Sequence, residues 1–304
     1  MNAFSGASGA AMPDDPEISS ISGISEFVAE VAAHAPSIYN SSPWWFSTVD
    51  ADICVRADSE RTVPIVDPAG RELTMSCGAA AFTVRIALRY LGLIAQATVL
   101  PEPGIPNLVV KLTWGEERKQ PSDYERRLFD QIAARRTHWG GFSTDRLPGG
   151  LMSTLTEAAA RENATLRIMT DDDHRAAILA VVAAADCAFG LDKARVAEEA
   201  KWMPSVPGPT ADRGWGARPQ AETTEPGSPG VVAVLTTPGD ERVDWIHAGQ
   251  ALQRVLLVAG SNRVSVAMDA TALEFGHLRQ FIGSEIVGGD SPQMVLRFGL
   301  TGHA

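Results

Sequence analysis

Two stretches of this chain are built alike. CGAAAFTVRIALRYLG begins at Cys77, and AGQALQRVLLVAGSNR begins at Ala248. Both open with Gly-x-Ala and then repeat apolar residues at helical offsets. Each is followed, after a similar interval, by a strand that opens on proline: PNLVVKLTWG at Pro106 and PQMVLRFG at Pro292. A weaker match sets VAAHAPSIYNSSPWWFSTVDAD beside EAAARENATLRIMTDDDH, the second having lost its middle. Any chain of helices and strands produces some coincidences of order. The shared Gly-x-Ala and proline landmarks favour duplication, and a duplicated chain imitates a two-subunit assembly with one polypeptide.

The bulk numbers allow this. With 304 residues, 45% of them hydrophobic, the chain can bury one large core or two fused smaller ones. A net charge of −11 argues against a phosphate-backbone binder, so no nucleic-acid partner is expected. Cys54, Cys77 and Cys187 are widely spaced and lack a Cys/His ligand pattern, so neither a disulfide framework nor a metal site is expected. The first Lys or Arg is Arg56, so no basic start precedes an apolar run as a secretory leader requires. The apolar run at 176–185 falls short of the ~20 residues that span a bilayer, so no membrane partner and a cytoplasmic location are expected.

Along the chain, residues 1–23 are rich in Ser, Gly, Ala and Pro and read as a disordered tail. A helical stripe over 25–35 stops at Pro36. WWFSTV and ADICVRAD read as strands, and DPAG at 67–70 reads as a turn. Ser76 is placed as the cap of a helix running from Cys77 to Leu91. SDYE at 122–125 has the form of a capping box. Helices are expected after Pro148 and over 172–189, 245–260 and 271–282. ATLRIMT, VVAVLT and QMVLRFG are expected strands. From Pro204 to Gly230 the chain holds six prolines and five glycines, which suits a lid or binding loop.

Two polar motifs stand out. HAPSIYNSSPWWF, starting at His34, is too polar for core and too aromatic for a plain loop. Its Ser and Asn offer hydrogen-bonding groups, although a turn after a helix uses the same residues. Trp44 and Trp45 are assigned to packing. ARRTHWGGF, starting at Ala134, sets two guanidinium forks beside a hydroxyl, a donor set that suits a phosphate monoester. On the doublet alone, a solvated helix end is the preferred explanation. DDDH at 171–174 reads as a helix N-terminus rather than a metal site.

APSIYNSSPWWF resembles the A-P-S-x-x-N-x-Q-P-W-x-F signature of the nitroreductase family, and ARRT resembles its R-R-[ST] start. Together with DPAGRELTMSCGAAA, AGQALQRVLL and PQMVLRFG, these motifs resemble the Acg-like branch, in which two nitroreductase halves are fused. The resemblance covers roughly residues 24–300. It implies an α+β fold (an α/β sandwich), with mixed central sheets flanked by helices in each half. The halves would be 24–120 and 121–304, the second carrying a lid loop at 203–230.

The same resemblance implies an FMN between the halves. Arg135, Arg136 and Thr137 would face its phosphate, Pro36, Ser37 and Asn40 its isoalloxazine, and backbone at 266–268 its N5. No catalytic side chain is implied, because the cofactor performs the bond changes. NAD(P)H would be the electron donor, and a small nitroaromatic or quinone the substrate. The alternatives are a flavin-sequestering protein whose lid occludes the site, and a degenerate relative that binds nothing. Since only the first half has Pro-Ser-x-x-Asn and only the second has Arg-Arg-Thr, one FMN per chain is expected. The symmetric interface would already be internal, leaving a monomer. The chain departs from the signature at Ser42, at Trp139, and in an ending, FGLTGHA, without basic residues; Arg213 or Arg218 would compensate.

Overall fold

The computed structural model describes residues 20–202, 214–216 and 228–301. Most of the expected tail, and both Arg213 and Arg218, lie outside the described residues. Ser20 caps helix α1 (Ile21–Ala32), so the helix begins inside the stretch read as tail.

The first sheet contains β1 (Trp44–Val49), β2 (Asp52–Ala57), β3 (Leu93–Val99) and β4 (Leu108–Arg118), in the order β1-β2-β4-β3. Helix α2 (Arg71–Tyr90) connects β2 to β3. The second sheet contains β5 (Thr165–Ile168), β6 (Val231–Thr237), β7 (Ser265–Asp269) and β8 (Ser291–Gly299), in the order β5-β6-β8-β7. Helix α7 (Arg242–Ser261) connects β6 to β7. Replacing each strand of the first sheet by the one four later reproduces the second. The α+β class holds, and every pairing within both sheets is antiparallel rather than mixed.

The remaining helices surround these. They are α3 (Asp123–Ala134), α4 (Leu151–Ala160), α5 (Asp172–Leu191), α6 (Lys193–Trp202) and α8 (Gly276–Phe281). The capping box at the start of α3 forms as read: Ser122 and Glu125 bond each other's backbone N–H. Asp171 caps α5 by accepting from His174 N at 2.9 Å, which accounts for DDDH.

Three local expectations are corrected. Helix α2 starts at Arg71 after Gly70, whose φ of 71° turns the chain, and not at Cys77. The polar first turn hides that start, since Arg71 and Glu72 are buried where a polar face would look exposed. Strands β3 and β7 and helix α6 are not among the expected elements: β3 follows α2 after only Leu91 and Gly92. The helix expected over 271–282 is broken. A 3-10 turn (Thr271–Leu273) ends at the extended Phe275, α8 follows, and a wide turn (Ile282–Ile286) closes it. Helix α5 extends the apolar run at both ends and is, by length and composition, long and apolar enough to cross a membrane. In this fold Ile178 and Ala185 pack into the outer core of the second sheet, and Phe189 into the central core.

The centre of the molecule is the crossing of α2 and α7. A side chain at Gly78 would strike the Ile246 carbonyl and lie 3.2 Å from Gly249 Cα. A side chain at Gly249 would strike the Met75 carbonyl. The contacts are reciprocal: each glycine meets the residue three before the other. This is how a self-complementary interface is built, and it occurs where the two Gly-x-Ala motifs align. Thr83 and Gln253 bond across the same crossing at 3.0 Å.

Candidate functional site

The chain between α1 and β1 supplies the first part of the site. Tyr39, Asn40 and Ser42 have φ of 49°, 54° and 45°, a left-handed conformation that is uncommon outside glycine and clusters at functional sites. The loop holds itself in this shape. Ser42 N donates to Ser37 Oγ at 3.0 Å, and Asn40 N to Ser37 O at 3.1 Å. Ile38 N donates to Ser76 Oγ at 3.2 Å, while Ser76 Oγ donates to Glu72 O at 2.7 Å. Ser76 therefore ties the loop to α2 instead of capping it. Pro36 and Ser37 are buried and Asn40 is exposed. The Tyr39 and Ser41 hydroxyls are buried and lack a partner among the described residues.

The second part arrives from the end of α3. Arg135 is 7% exposed and Thr137 is buried, while Arg136 points outward and donates to the Ala133 and Arg135 carbonyls. Arg135 Nη2 donates to the His34 carbonyl at 3.3 Å, two residues before Pro36. His138 N donates to the Val266 carbonyl at 3.0 Å. Three segments far apart in sequence therefore meet: the 34–42 loop, the Arg-Arg-Thr run and the start of β7. Burial holds the His138 imidazole below its ordinary pKa.

A third element comes from the stretch expected as a lid at 203–230, of which 203–213 and 217–227 lie outside the described residues; Trp215 itself is not among the expected site residues. Gly214, Trp215 and Gly216 lie on the loop. Tyr39 N donates to Trp215 O at 2.8 Å, and Trp215 N to Ser37 O at 3.2 Å. The Trp215 side chain is fully buried, and its Nε1 donates to Glu72 Oε2 at 2.8 Å. Glycines flank it because a side chain at Gly214 would strike the Ser37 carbonyl. The sequence signal was present: a lone Trp between glycines in a Pro/Gly-rich stretch.

Beneath Trp215 lies a buried charged web. Arg71 Nη2 pairs with Glu72 Oε1 at 2.6 Å, and Arg71 Nη1 donates to the Gln293 carbonyl at 2.8 Å. Burial pushes the Glu72 carboxyl up to about 7, against the pull of Arg71. The same burial lowers the Arg71 pKa. Glu274 has one oxygen facing Arg195 at 3.3 Å and one buried without a partner among the described residues. Burial, with the Glu72 charge, raises its pKa. Burial first, then the Glu274 and Glu72 charges, lifts the Tyr39 phenol above its usual range. Nothing in the sequence marks these groups. An acidic residue in the first turn of a helix is ordinary, and only tertiary packing removes Glu72 from water.

Among the described residues no His, Cys, Asp or Glu group could hold a metal. Cys77 lies within α2, and burial pushes its thiol up to about 12, so it is not a poised nucleophile.

No family model matches the chain. Over 292 residues, 90% of this chain and 83% of the other, it is 28% identical to the Mycobacterium tuberculosis protein named "Putative NAD(P)H nitroreductase Rv3131". A stretch of 123 residues is 30% identical to "Putative NAD(P)H nitroreductase acg" of the same organism, covering 39% of this chain and 34% of that protein. Among solved structures, a nitroreductase with bound FMN from Bacteroides fragilis aligns at a TM-score of 0.38 with 10% identity, over 58% of this chain and 88% of that one. The resemblance read from the motifs thus coincides with relatives that bear the nitroreductase name.

Proposed function

We propose that this chain, a relative of proteins named nitroreductases, is an FMN-dependent oxidoreductase with its flavin seated where two like halves meet. The observation that carries the reading is the Arg135 to His34 contact, which brings the Arg-Arg-Thr run of one half to the Pro-Ser-x-x-Asn loop of the other. The shared strand order of the sheets and the reciprocal glycine contacts of α2 and α7 support the two halves as copies of one ancestor.

The donor set suits such a ligand. Arg135 is a buried permanent cation with Thr137 beside it and Arg136 one residue away at the surface. These would hold a phosphate through charge-assisted bonds, each contributing roughly 1.5–3 kcal/mol. The unpartnered Tyr39 and Ser41 hydroxyls, with Ser37 and Asn40, give the loop more hydrogen-bonding groups than it uses itself. Pro36 would stiffen the backbone beside the ring. The chemistry a bound FMN supplies is hydride transfer from NAD(P)H and onward reduction of a small nitroaromatic or quinone. The chain's own part is to position the ring, exclude water through Trp215, and hold Ser37 and Asn40 in one geometry.

A second reading has its own observation. Trp215 is fully buried and its backbone occupies Ser37 O and Tyr39 N, so the loop is already covered on one side. A protein that holds flavin without turning over would look like this. An absorbance scan of the purified protein, with flavin counted per chain, tests the binding site. One FMN per chain is expected, in a monomer; colourless protein that takes up no added FMN refutes both readings. Anaerobic addition of NADPH then separates them. Bleaching near about 450 nm marks the oxidoreductase, and an unchanged flavin band marks the occluded holder.

A further inference from the structure

On the opposite side of the α2–α7 crossing the protein has an arginine-lined cleft of about 400 Å³. Arg85 and Arg89 reach it from α2, Arg254 from α7, and Arg161 from the end of α4. Two carboxylates answer these four cations. Glu162, 4% exposed, takes Arg85 and Arg254 on the single oxygen Oε1, the latter at 2.6 Å. Glu125 takes Arg89 in a two-pronged pair at 2.8 and 3.0 Å. Arg161 is exposed and makes no side-chain hydrogen bond or ion pair among the described residues.

We propose that this cleft is a binding site for a compact dianion, a phosphate monoester or a dicarboxylate. Four cations facing two carboxylates leave an excess of two positive charges, in a chain whose net charge is −11. A helix C-terminus favours a cation and explains Arg161 and Arg89, which lies in the last turn of α2. It does not explain Arg85 and Arg254, which converge on the cleft from within α2 and α7. Arg85 and Arg254 are held rigid: each guanidinium stacks 4.8 Å from the Phe82 ring centroid, with Glu162 behind. Fixed guanidinium forks are preorganised for carboxylate or phosphate oxygens. Tyr124 adds a hydroxyl, and Ile86 and Ala95 add an apolar wall that suits the carbon part of an organic anion.

The place of the cleft is informative. Ala95 stands five residues after the end of α2 (95 − 90), as Val266 stands five after the end of α7 (266 − 261). Arg161 caps α4 as Ala33 caps α1. With the halves exchanged, the cleft occupies the position of the candidate flavin site. The half that lacks Pro-Ser-x-x-Asn has Arg161 at the helix end that precedes that position. This equivalence rests on the duplicated reading, whereas the charge argument stands without it.

Titration calorimetry of the full-length protein with inorganic phosphate and, separately, with succinate, at constant ionic strength, tests the site. At least one should bind with a Kd of about 1 mM or tighter, and comparing them tells which dianion the forks prefer. Arg161→Glu reverses an exposed, unpaired charge and should leave the far-ultraviolet circular dichroism unchanged while weakening binding about tenfold or more. Arg136→Ala, at the candidate flavin phosphate position, should leave it intact. The proposal is overturned if neither anion binds at about 10 mM, if Arg161→Glu binds as the parent does, or if Arg136→Ala removes the binding. Flavin content, measured on the same samples, reports separately on the oxidoreductase reading.

Discussion

The two sheets share one strand order but differ in what covers them. The first is a sheet with one wet face. Along β3, residues Ile94, Gln96 and Thr98 are exposed while Leu93 is fully buried. Trp45, Lys111 and Thr113 continue the outer face, and Arg56 stacks 5.3 Å over Trp45. The second sheet is buried on both sides. On β6, Ala233 and Leu235 face the central core, while Val232 and Val234 face a separate outer core with Ile178, Leu273 and Ile282. The extra cover comes from chain inserted between equivalent strands: α5 and α6 before β6, and the 3-10 turn and α8 before β8. The same insertions carry Arg195 and Glu274 toward the site. The added helices and turn thus bring a second core and the Arg195–Glu274 part of the buried charged web together.

Mutations can break this comparison where α2 and α7 cross between the two sheets. Gly249→Ala forces a methyl group onto the Met75 carbonyl, so the helices must separate and both sheets lose their shared support. A loss of about 3 kcal/mol or more is expected, read from the urea midpoint. An unchanged midpoint would show that the crossing is looser than described.

The difference in cover sharpens next. Leu235→Ala on β6 and Ile178→Ala on α5 each empty a fully buried site and should each cost about 2–5 kcal/mol. Ile94→Ala on β3, 40% exposed, should cost under about 0.5 kcal/mol. Equal midpoint shifts for Ile178 and Ile94 would mean that the outer core of the second sheet contributes nothing.

Two carboxylates, one buried and one paired at the surface, respond to pH with opposite sign. Glu72 is raised to about 7 from 4.5, so the folded state holds a proton that the unfolded chain has released. Its contribution is fully present below about pH 4.5 and is lost as pH rises toward 7. Glu125, paired with Arg89, is lowered to about 2; its contribution is present above about 4.5 and is lost as pH falls toward 2. Glu72→Gln should therefore flatten the stability profile between pH 4.5 and 7, even though Arg71 loses its partner. Glu125→Gln should flatten only the acid limb. A profile whose slope above pH 4.5 survives Glu72→Gln would assign that slope to other groups.

The smallest effect belongs to the wet face. The Lys111–Asp52 pair, 3.4 Å apart with side chains 34% and 26% exposed, should contribute under about 0.5 kcal/mol and vanish at high salt.

Much of this architecture was legible before any coordinates. Strands β1, β2, β4, β5, β6 and β8, helices α1, α3, α4, α5 and α7, and the capping box of α3 follow from apolar period and cap chemistry, which are local properties. So does the match of Cys77 with Ala248, because two helices that must approach closely need glycine at the contact. The two polar motifs could be named for the same reason, since their donor chemistry is written in residue type. What could not be read is which groups leave water. Whether Glu72 is a solvated helix start or a buried acid depends on its neighbour Arg71 and on Trp215 and Gln293, which come from distant parts of the chain. Whether Arg135 meets the 34–42 loop depends on how α3 packs across the α2–α7 pair. Desolvation and long-range charge pairing exist only once those elements are assembled, so the tertiary structure alone decided them.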